Sequence, residues 1–159
     1  MTKNNLIKLV ISILIPQFAG LIGSAFTNDK IATWYATLNK PGLNPPSWVF
    51  GPVWTTLFIL MGISLYLVWK KGTGDRQVRI GLIFFSIQMT LNVLWSILFF
   101  GYGLIGIAVI DIALLWLSIV GTIVTFKKVS MLAGWLLVPY LLWVSFASYL
   151  NYMVYILNQ

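Results

Sequence analysis

The stretch IATWYATLNKPGLNPPSWVFGPVW at residues 31–54 decides how the rest of the chain is organised. It is neither a continuous apolar run nor a charged turn, and it contains four prolines: Pro41, Pro45, Pro46 and Pro52. Proline fixes φ and removes a backbone donor, so the segment is stiff. It also carries aromatic side chains with a large apolar surface, namely Trp34, Tyr35, Trp48 and Trp54. A stiff aromatic segment between apolar runs indicates a lid over an apolar site.

The composition excludes most soluble and metal-dependent functions. The chain is 60% hydrophobic and 8% charged, whereas a soluble domain carries about 25% charged residues. It contains no cysteine and no histidine, which excludes disulfides, thiolate catalysis, zinc sites and imidazole ligation of haem, and no metal site is expected. The net charge of +7 lies mainly in short turns between apolar runs, which indicates membrane topology rather than nucleic-acid binding.

Five apolar runs are each long enough to cross a bilayer, which takes about 20 helical residues. They lack the alternating pattern of barrel strands, and helices are the other structure that satisfies the backbone inside a membrane. The chain is therefore predicted to be an all-α, polytopic membrane protein, a five-transmembrane-helix bundle in one domain over residues 1–159. The predicted spans are about 6–26, 47–69, 80–100, 104–126 and 131–156, with a lid loop at 27–46.

The first run has a second interpretation as a signal peptide that ends near Ser24 and Ala25. Its apolar length exceeds that of a usual signal region, so a membrane span is preferred. No two of the five runs correspond to each other, and the sequence does not support the inverted-repeat plan of many transporters.

The positive charges alternate from turn to turn. One side of a five-span protein would carry Lys3, Lys8, Lys70, Lys71, Arg76, Arg79, Lys127 and Lys128. The other side would carry only Lys30 and Lys40, both in the lid loop. The positive-inside rule then places the N-terminus in the cytoplasm and the loop at 27–46 outside.

Polar and aromatic side chains share one face on the third and fifth predicted spans. The third span presents Gln88, Asn92, Trp95, Ser96 and Phe99 at helical spacing, and the fifth presents Trp143, Ala147, Leu150 and Asn151. With a rise of about 1.5 Å per residue, most of these residues and Trp54 lie in the half of the membrane beneath the lid. Buried amides must find partners, so Gln88, Asn92 and Asn151 should face the interior. The pattern predicts an aromatic-walled cavity for a bulky, flat, hydrophobic ligand.

Simpler interpretations stand beside this one. Trp54 and Trp143 could be packed core aromatics, and Asn92 could form only an interhelical hydrogen bond. Asp111 is the one acidic residue inside a predicted span, which makes it a functional candidate. It shares its spacing with Ser118, Thr122 and Thr125, so a helix–helix seam is the preferred interpretation. Gly20 and Ser24 form a small-xxx-small pair that could serve a similar contact.

Several motifs resemble the translocator protein family, whose members are also called tryptophan-rich sensory proteins or peripheral-type benzodiazepine receptors. They are WYATLNKP at 34–41, PPSW at 45–48, PVW at 52–54, NVLWS at 92–96 and PYLLWVSFASYLN at 139–151. The match runs in order across all five predicted spans. It implies a five-helix membrane bundle that is found as a homodimer. It also implies porphyrin ligands such as protoporphyrin IX, isoquinoline and benzodiazepine-type drugs and, in animals, cholesterol.

The resemblance also implies roles for particular residues. Family pocket positions correspond to Trp54, Asn92, Trp95, Trp143 and Ala147, and family lid positions correspond to Tyr35 and Pro45. In some bacterial members, the tryptophans matching Trp54 and Trp143 are linked to light-dependent oxidative breakdown of protoporphyrin, so both are candidate catalytic residues. The family's cholesterol motif needs a basic residue after a tyrosine in the last helix. The run MVYILNQ at 153–159 has none, which argues against cholesterol and favours a bacterial host.

Three functions follow as hypotheses. The first is a membrane receptor that binds porphyrins and senses or regulates tetrapyrroles, with no required cofactor. Without histidine or cysteine, a metal-free tetrapyrrole held by stacking and shape is preferred over tight haem ligation. Its polar groups would meet Asn92, Gln88, the lid backbone or Lys40. The second is photo-oxidative degradation of protoporphyrin IX through Trp54 and Trp143. The third is transport of a small molecule.

Overall fold

Five helices of the computed structural model, which describes residues 3–159, are long and apolar enough to cross a membrane. No strand occurs among these residues. The prediction of an all-α, five-span bundle is confirmed, and the chain is a multi-pass membrane protein. The long helices are α1 (Lys3–Ala32), α3 (Phe50–Trp69), α4 (Arg76–Ser96), α5 (Ile105–Val129) and α7 (Val138–Leu157), and the short ones are α2 (Trp34–Thr37) and α6 (Met131–Leu136).

The first helix is longer than the predicted span of 6–26. Helix α1 continues to Ala32, so residues 27–32 of the predicted lid loop are helical. No glycine or proline interrupts residues 24–40, and Thr27 and Thr33 bond back to the carbonyls of Gly23 and Asp29, at 2.8 and 2.6 Å. Below, "the lid" means residues 33–46, which include α2 and lead into a 3₁₀ turn at Ser47–Val49.

The fifth predicted span is divided into two helices. Helix α6 ends at Leu136 and α7 begins at Val138, with Pro139 in its first turn. Proline has no N–H to donate to the preceding turn, so the break falls where a continuous helix would lose a hydrogen bond. At the other end of the bundle, α4 closes in a π-helical turn at Ile97–Gly101. Such turns occur frequently at functional sites.

Helices α4 and α5 form the most extensive helix pair, and α1 packs chiefly against α3. Two glycines allow α4 and α5 to come close, because a Cβ at Gly81 would meet the Phe126 ring and one at Gly121 would meet the Phe84 ring. Phe85 and Phe126 stack nearly parallel in the same contact, with centroids 5.9 Å apart. The aromatic rings therefore occupy the space that a side chain at either glycine would need.

One end of the bundle carries the basic turns, and we call it the basic end. Two tryptophans at this end lie beside lysines: the Lys127 ammonium lies 4.0 Å from the centroid of the Trp135 ring, and the Lys8 ammonium lies 5.9 Å from the centroid of the Trp69 ring. The lid lies at the opposite end, which we call the lid end. The orientation of the two ends relative to the cell stays a prediction.

The polar stripe of α5 faces the bundle interior. Asp111, Ser118, Thr122 and Thr125 are all buried, as a helix–helix seam requires. Their hydroxyls bond to carbonyls of α5 itself, for example Thr122 to Ser118 at 2.8 Å. The stripe therefore contributes close packing, and within residues 3–159 its hydroxyls form no bonds between helices. One carboxylate oxygen of Asp111 is buried without a hydrogen-bond partner among residues 3–159.

Candidate ligand cavity at the lid end

A cavity of about 480 Å³ lies at the lid end of the bundle, among α1, α3, α4 and α7. Small-molecule sites in proteins commonly enclose about 300–1,000 Å³. None of its lining residues carries a charge. The predicted site residues in its wall are Trp54, Asn92, Trp95, Trp143 and Ala147, and prominent further members are Gly20, Ser24, Phe50, Phe58 and Ser96.

Two of the tryptophans are held by different aromatic partners. Trp54 stacks on Phe58, with 5.3 Å between centroids and 29° between ring planes, and meets Tyr140 edge-on at 6.2 Å. Trp143 meets Phe50 edge-on at 6.0 Å. Both indoles are partly exposed and line the same cavity, so neither is a fully enclosed core residue. A flat molecule in the cavity would have indole surface available for stacking.

Helix α1 supplies the part of the wall that sequence reasoning missed. A Cβ at Gly20 would overlap the Phe58 ring, and one at Gly23 would lie 3.1 Å from the Ser96 hydroxyl. These small residues let α1 pack closely against the aromatic wall. A usable signal was present, because small and polar residues recur at helical spacing along this face: Gln17, Gly20, Ser24, Thr27 and Asn28. The Gly20–Ser24 pair belongs to this stripe.

The polar groups of the wall are few and mostly paired. Asn92 donates its amide to the Tyr140 hydroxyl at 3.0 Å, and its side-chain oxygen makes no hydrogen bond within the described chain. Trp95 donates its indole N–H to Asn151 at 2.8 Å. The Trp143 N–H is buried without a partner in residues 3–159. An unpaired buried donor costs about 1–3 kcal/mol.

Tyr35 lies beside the main cavity, outside its wall. It lines a second cavity of about 40 Å³, which shares Phe50, Trp95 and Ala147 with the main one. The Tyr35 hydroxyl donates to the Asn44 side chain at 2.6 Å. Burial raises the pKa of Tyr35 to about 12, so the phenol stays protonated and keeps donating at neutral pH.

Two further predicted ligand residues, Gln88 and Pro45, line neither cavity. Gln88 is completely buried one helical turn from Asn92, and its amide has no hydrogen-bond partner in the described residues. Pro45 is half-buried in the lid, and its carbonyl accepts from Asn44 at 3.2 Å. Gln88 and Asn92 thus lie on the same face of α4, but only Asn92, which is nearer the lid, lines the cavity.

Lys40 is a predicted partner for the polar groups of a ligand, but its ammonium is bound within the lid. It donates to three backbone carbonyls of the lid, those of Tyr35, Ala36 and Leu38, at 2.8, 3.2 and 2.8 Å. An ammonium has three donors, so none is left for a ligand in this arrangement. Lys40 therefore stiffens the lid from within. Residues 3–159 contain no group of three or more metal-binding side chains of the His, Cys, Asp or Glu type.

Five membrane-length helices around an uncharged aromatic cavity define the class: a polytopic α-helical membrane protein with an internal small-molecule cavity at one end. Residues 12–157 match the TspO/MBR family over most of the chain. The chain belongs to that family, which confirms the resemblance predicted from its motifs.

Known relatives share most of their length with this chain. The tryptophan-rich protein TspO of Chlorobaculum tepidum is 49% identical over 139 residues, which cover 87% of this chain and 88% of that protein. The tryptophan-rich protein TspO of Archaeoglobus fulgidus is 46% identical over 154 residues, covering 97% and 99%. The human translocator protein is 41% identical over 143 residues, covering 89% and 85%.

Proposed function

We propose that this protein is an integral membrane receptor that binds porphyrins, protoporphyrin IX above all, and that it senses or regulates tetrapyrroles. The observation that carries the proposal is the uncharged cavity of about 480 Å³ walled by Trp54, Trp95 and Trp143. Indole faces stack on flat conjugated ligands, and such stacking contributes about 1–3 kcal/mol per ring in well-studied cases. The same wall suits other flat apolar molecules, including isoquinoline and benzodiazepine-type compounds.

The polar atoms of the cavity fit the chemistry of a metal-free porphyrin. The free side-chain oxygen of Asn92 could accept from a pyrrole N–H. The wall offers no charge to neutralise propionates. The proposal therefore places the conjugated ring inside and the carboxylates toward the lid-end surface. No cofactor is required for this binding.

Tryptophan quenching tests the proposal directly. Protoporphyrin IX titrated into purified protein in detergent should quench indole fluorescence with saturation. Trp143→Ala should weaken binding by about 1–3 kcal/mol, a fold-change of roughly 5 to 150. Trp116→Phe is a matched control, because Trp116 bonds to Ser145 and lies outside the cavity wall. Equal affinities for wild type and Trp143→Ala would show that Trp143 is not part of the binding site.

A second candidate is light-dependent oxidative degradation of protoporphyrin IX. The observation that favours it is that Trp54 and Trp143 line one cavity, so a bound porphyrin could contact both candidate catalytic indoles. Under illumination in air, wild type should bleach the Soret band faster than the Trp54→Phe, Trp143→Phe double variant. Equal bleaching rates would contradict degradation through these two tryptophans and would leave only the binding function.

Transport is the weaker alternative, and its support is the name of the human relative, translocator protein. Vesicles loaded with porphyrin would release it faster with the protein present if transport occurs.

We further propose a bacterial cell membrane as the location, with the basic end cytoplasmic and the lid outside, and a homodimer as the assembly. Light scattering in detergent tests the dimer. Cholesterol is not proposed as a ligand.

A further inference from the structure

The lid is fastened to the end of α7 by two asparagines. The Asn39 backbone N–H donates to the Asn158 side-chain oxygen at 2.9 Å, and the Asn158 amide donates back to the Asn39 carbonyl at 2.9 Å. The Asn39 amide also donates to the Leu157 carbonyl at 3.2 Å. We call this set of three hydrogen bonds the clasp. Within residues 3–159 no other hydrogen bond joins the lid to α7.

The lid itself is internally stiff. Lys40 ties three of its carbonyls together, and the Tyr35 hydroxyl bonds to Asn44 across the segment. Trp34 and Tyr35 pack against Phe99 and Phe100 near the end of α4, with centroids 5.6–6.4 Å apart. A segment braced in this way moves as a unit.

The lid adjoins the wall of the main cavity at both of its ends. The lid connects Ile31 of α1 to Ser47 of the 3₁₀ turn, and both of these residues line the main cavity. Tyr35 in the lid lines the adjoining second cavity. Helix α7, to which the clasp fastens, carries Trp143 and Ala147 of the same wall. The clasp therefore joins two parts of the molecule that border the cavity from different elements.

The chemistry of the clasp suits a reversible fastening. Asn39 is exposed and Asn158 is partly exposed, so water competes for the same donors and acceptors. Hydrogen bonds that exchange with water contribute little net stability each. Neither asparagine lines the main or the second cavity, so neither would touch a molecule bound there.

We propose that the Asn39–Asn158 clasp is a gate that sets how fast porphyrins bind to and leave the cavity, with Asn158 as a positioning residue. This inference rests on the proposed function. Because the clasp holds the lid in both the empty and the occupied protein, its loss raises the association and dissociation rates together. The dissociation constant then changes little, which distinguishes a gate from a binding residue.

The test uses the full chain in detergent with Asn158→Ala, the conservative Asn158→Asp and the control Gln159→Ala. Gln159 is the exposed neighbour of Asn158 and makes no hydrogen bond in the described chain. Stopped-flow quenching by protoporphyrin IX measures the two rates, and hydrogen exchange of residues 33–46 is measured without any porphyrin. Circular dichroism verifies that each variant is folded.

We expect Asn158→Ala to raise both rates on the order of tenfold, the effect of losing two of the three clasp hydrogen bonds at ordinary net strength. Hydrogen exchange of the backbone amides in the lid should also become faster. Asn158→Asp keeps the acceptor for the Asn39 N–H and should lie between wild type and Asn158→Ala. Gln159→Ala should match wild type.

The outcomes separate the two proposals. If wild type does not bind protoporphyrin IX, the proposed function fails and lid exchange alone decides whether the clasp fastens the lid. If wild type binds but Asn158→Ala keeps the wild-type association and dissociation rates, the gate is overturned, whether or not hydrogen exchange in the lid changes. If affinity falls while the association rate is unchanged, the gate is also overturned, and Asn158 then supports the bound state.

Discussion

The Trp95 indole N–H donates to the Asn151 side-chain oxygen over 2.8 Å, which joins α4 to α7 beside the cavity. Asn151 in turn donates to the Ile105 carbonyl over 3.3 Å, so one amide links three elements. Trp95 lies nearly parallel to Phe99, with 5.2 Å between centroids and 17° between ring planes. The orientation of one indole in the cavity wall is therefore supported by a residue 56 positions away in the sequence.

Replacing Asn151 by alanine should destabilise the bundle. The change leaves the Trp95 N–H and the Ile105 carbonyl without this partner, and a buried unpaired group costs about 1–3 kcal/mol. We expect a lower melting temperature in detergent and a weaker porphyrin affinity. Asn4→Ala is the control, since Asn4 is exposed and its side chain makes no hydrogen bond in residues 3–159. Wild-type stability in Asn151→Ala would contradict the structural role of this amide.

Adding one methyl group to α1 should disturb the aromatic wall. A Cβ at Gly20 would overlap the Phe58 ring, which stacks on Trp54. Overpacking of this kind typically costs about 1–3 kcal/mol. Gly20→Ala should therefore lower the melting temperature and weaken quenching by protoporphyrin IX. At Gly74 an added Cβ meets nothing within 4 Å, so Gly74→Ala should leave both measurements unchanged. Identical behaviour of the two variants would refute the close contact.

The lid should lose stability at alkaline pH through Tyr35. Burial raises its pKa from 10.0 to about 12, so the folded state favours the neutral phenol. This contribution to stability is constant below pH 10 and is lost as the pH rises from 10 to about 12. Tyr35→Phe removes the hydrogen bond to Asn44, so it should cost about 1 kcal/mol at neutral pH.

Melting temperatures from neutral pH to about pH 12 test this expectation. The difference between wild type and Tyr35→Phe should shrink above pH 10, because the variant has no phenol to ionise at that position. Tyr152→Phe serves as the control, since Tyr152 is exposed. A constant difference across the range would show that ionisation of Tyr35 is not coupled to folding.

Single cysteines should reveal the orientation, because the chain has no cysteine of its own. Leu43 in the lid and Thr73 in a basic turn are both exposed. We expect an impermeant thiol reagent applied to intact cells to label Leu43→Cys, and Thr73→Cys to be labelled only after the membrane is opened. The opposite pattern would invert the proposed topology while leaving the fold unaffected.

The outline of the fold followed from the sequence because a membrane leaves the backbone few choices. Long uncharged runs must be helical to satisfy their N–H and C=O groups, and the basic turns between them determine which ends lie together. The ends of those helices were less predictable. Helix α1 extends through residues 27–32, and Pro139 divides the last span in two, because local hydrogen bonding, rather than hydropathy, decides where a helix stops.

The candidate site was predictable in part. Helical spacing placed Gln88 and Asn92 on one face, but it did not say how deep the cavity reaches, and Gln88 lies outside its wall. The wall from α1 was missed because its residues are small and polar. Their role depends on the contacts that they make with Phe58 and Ser96 of other helices, and the sequence of α1 does not show these contacts.

The sequence by itself determined the five spans, the basic turns, the proline-rich lid and the faces that carry tryptophan and amide side chains. These features depend on local composition and periodicity, which each segment carries independently of its neighbours. Only the tertiary structure decided which faces meet around the cavity, that Lys40 is bound within the lid, and that Asn39 is joined to Asn158 across 119 positions. Such contacts depend on how separate helices pack, and periodicity along one segment does not specify its partner.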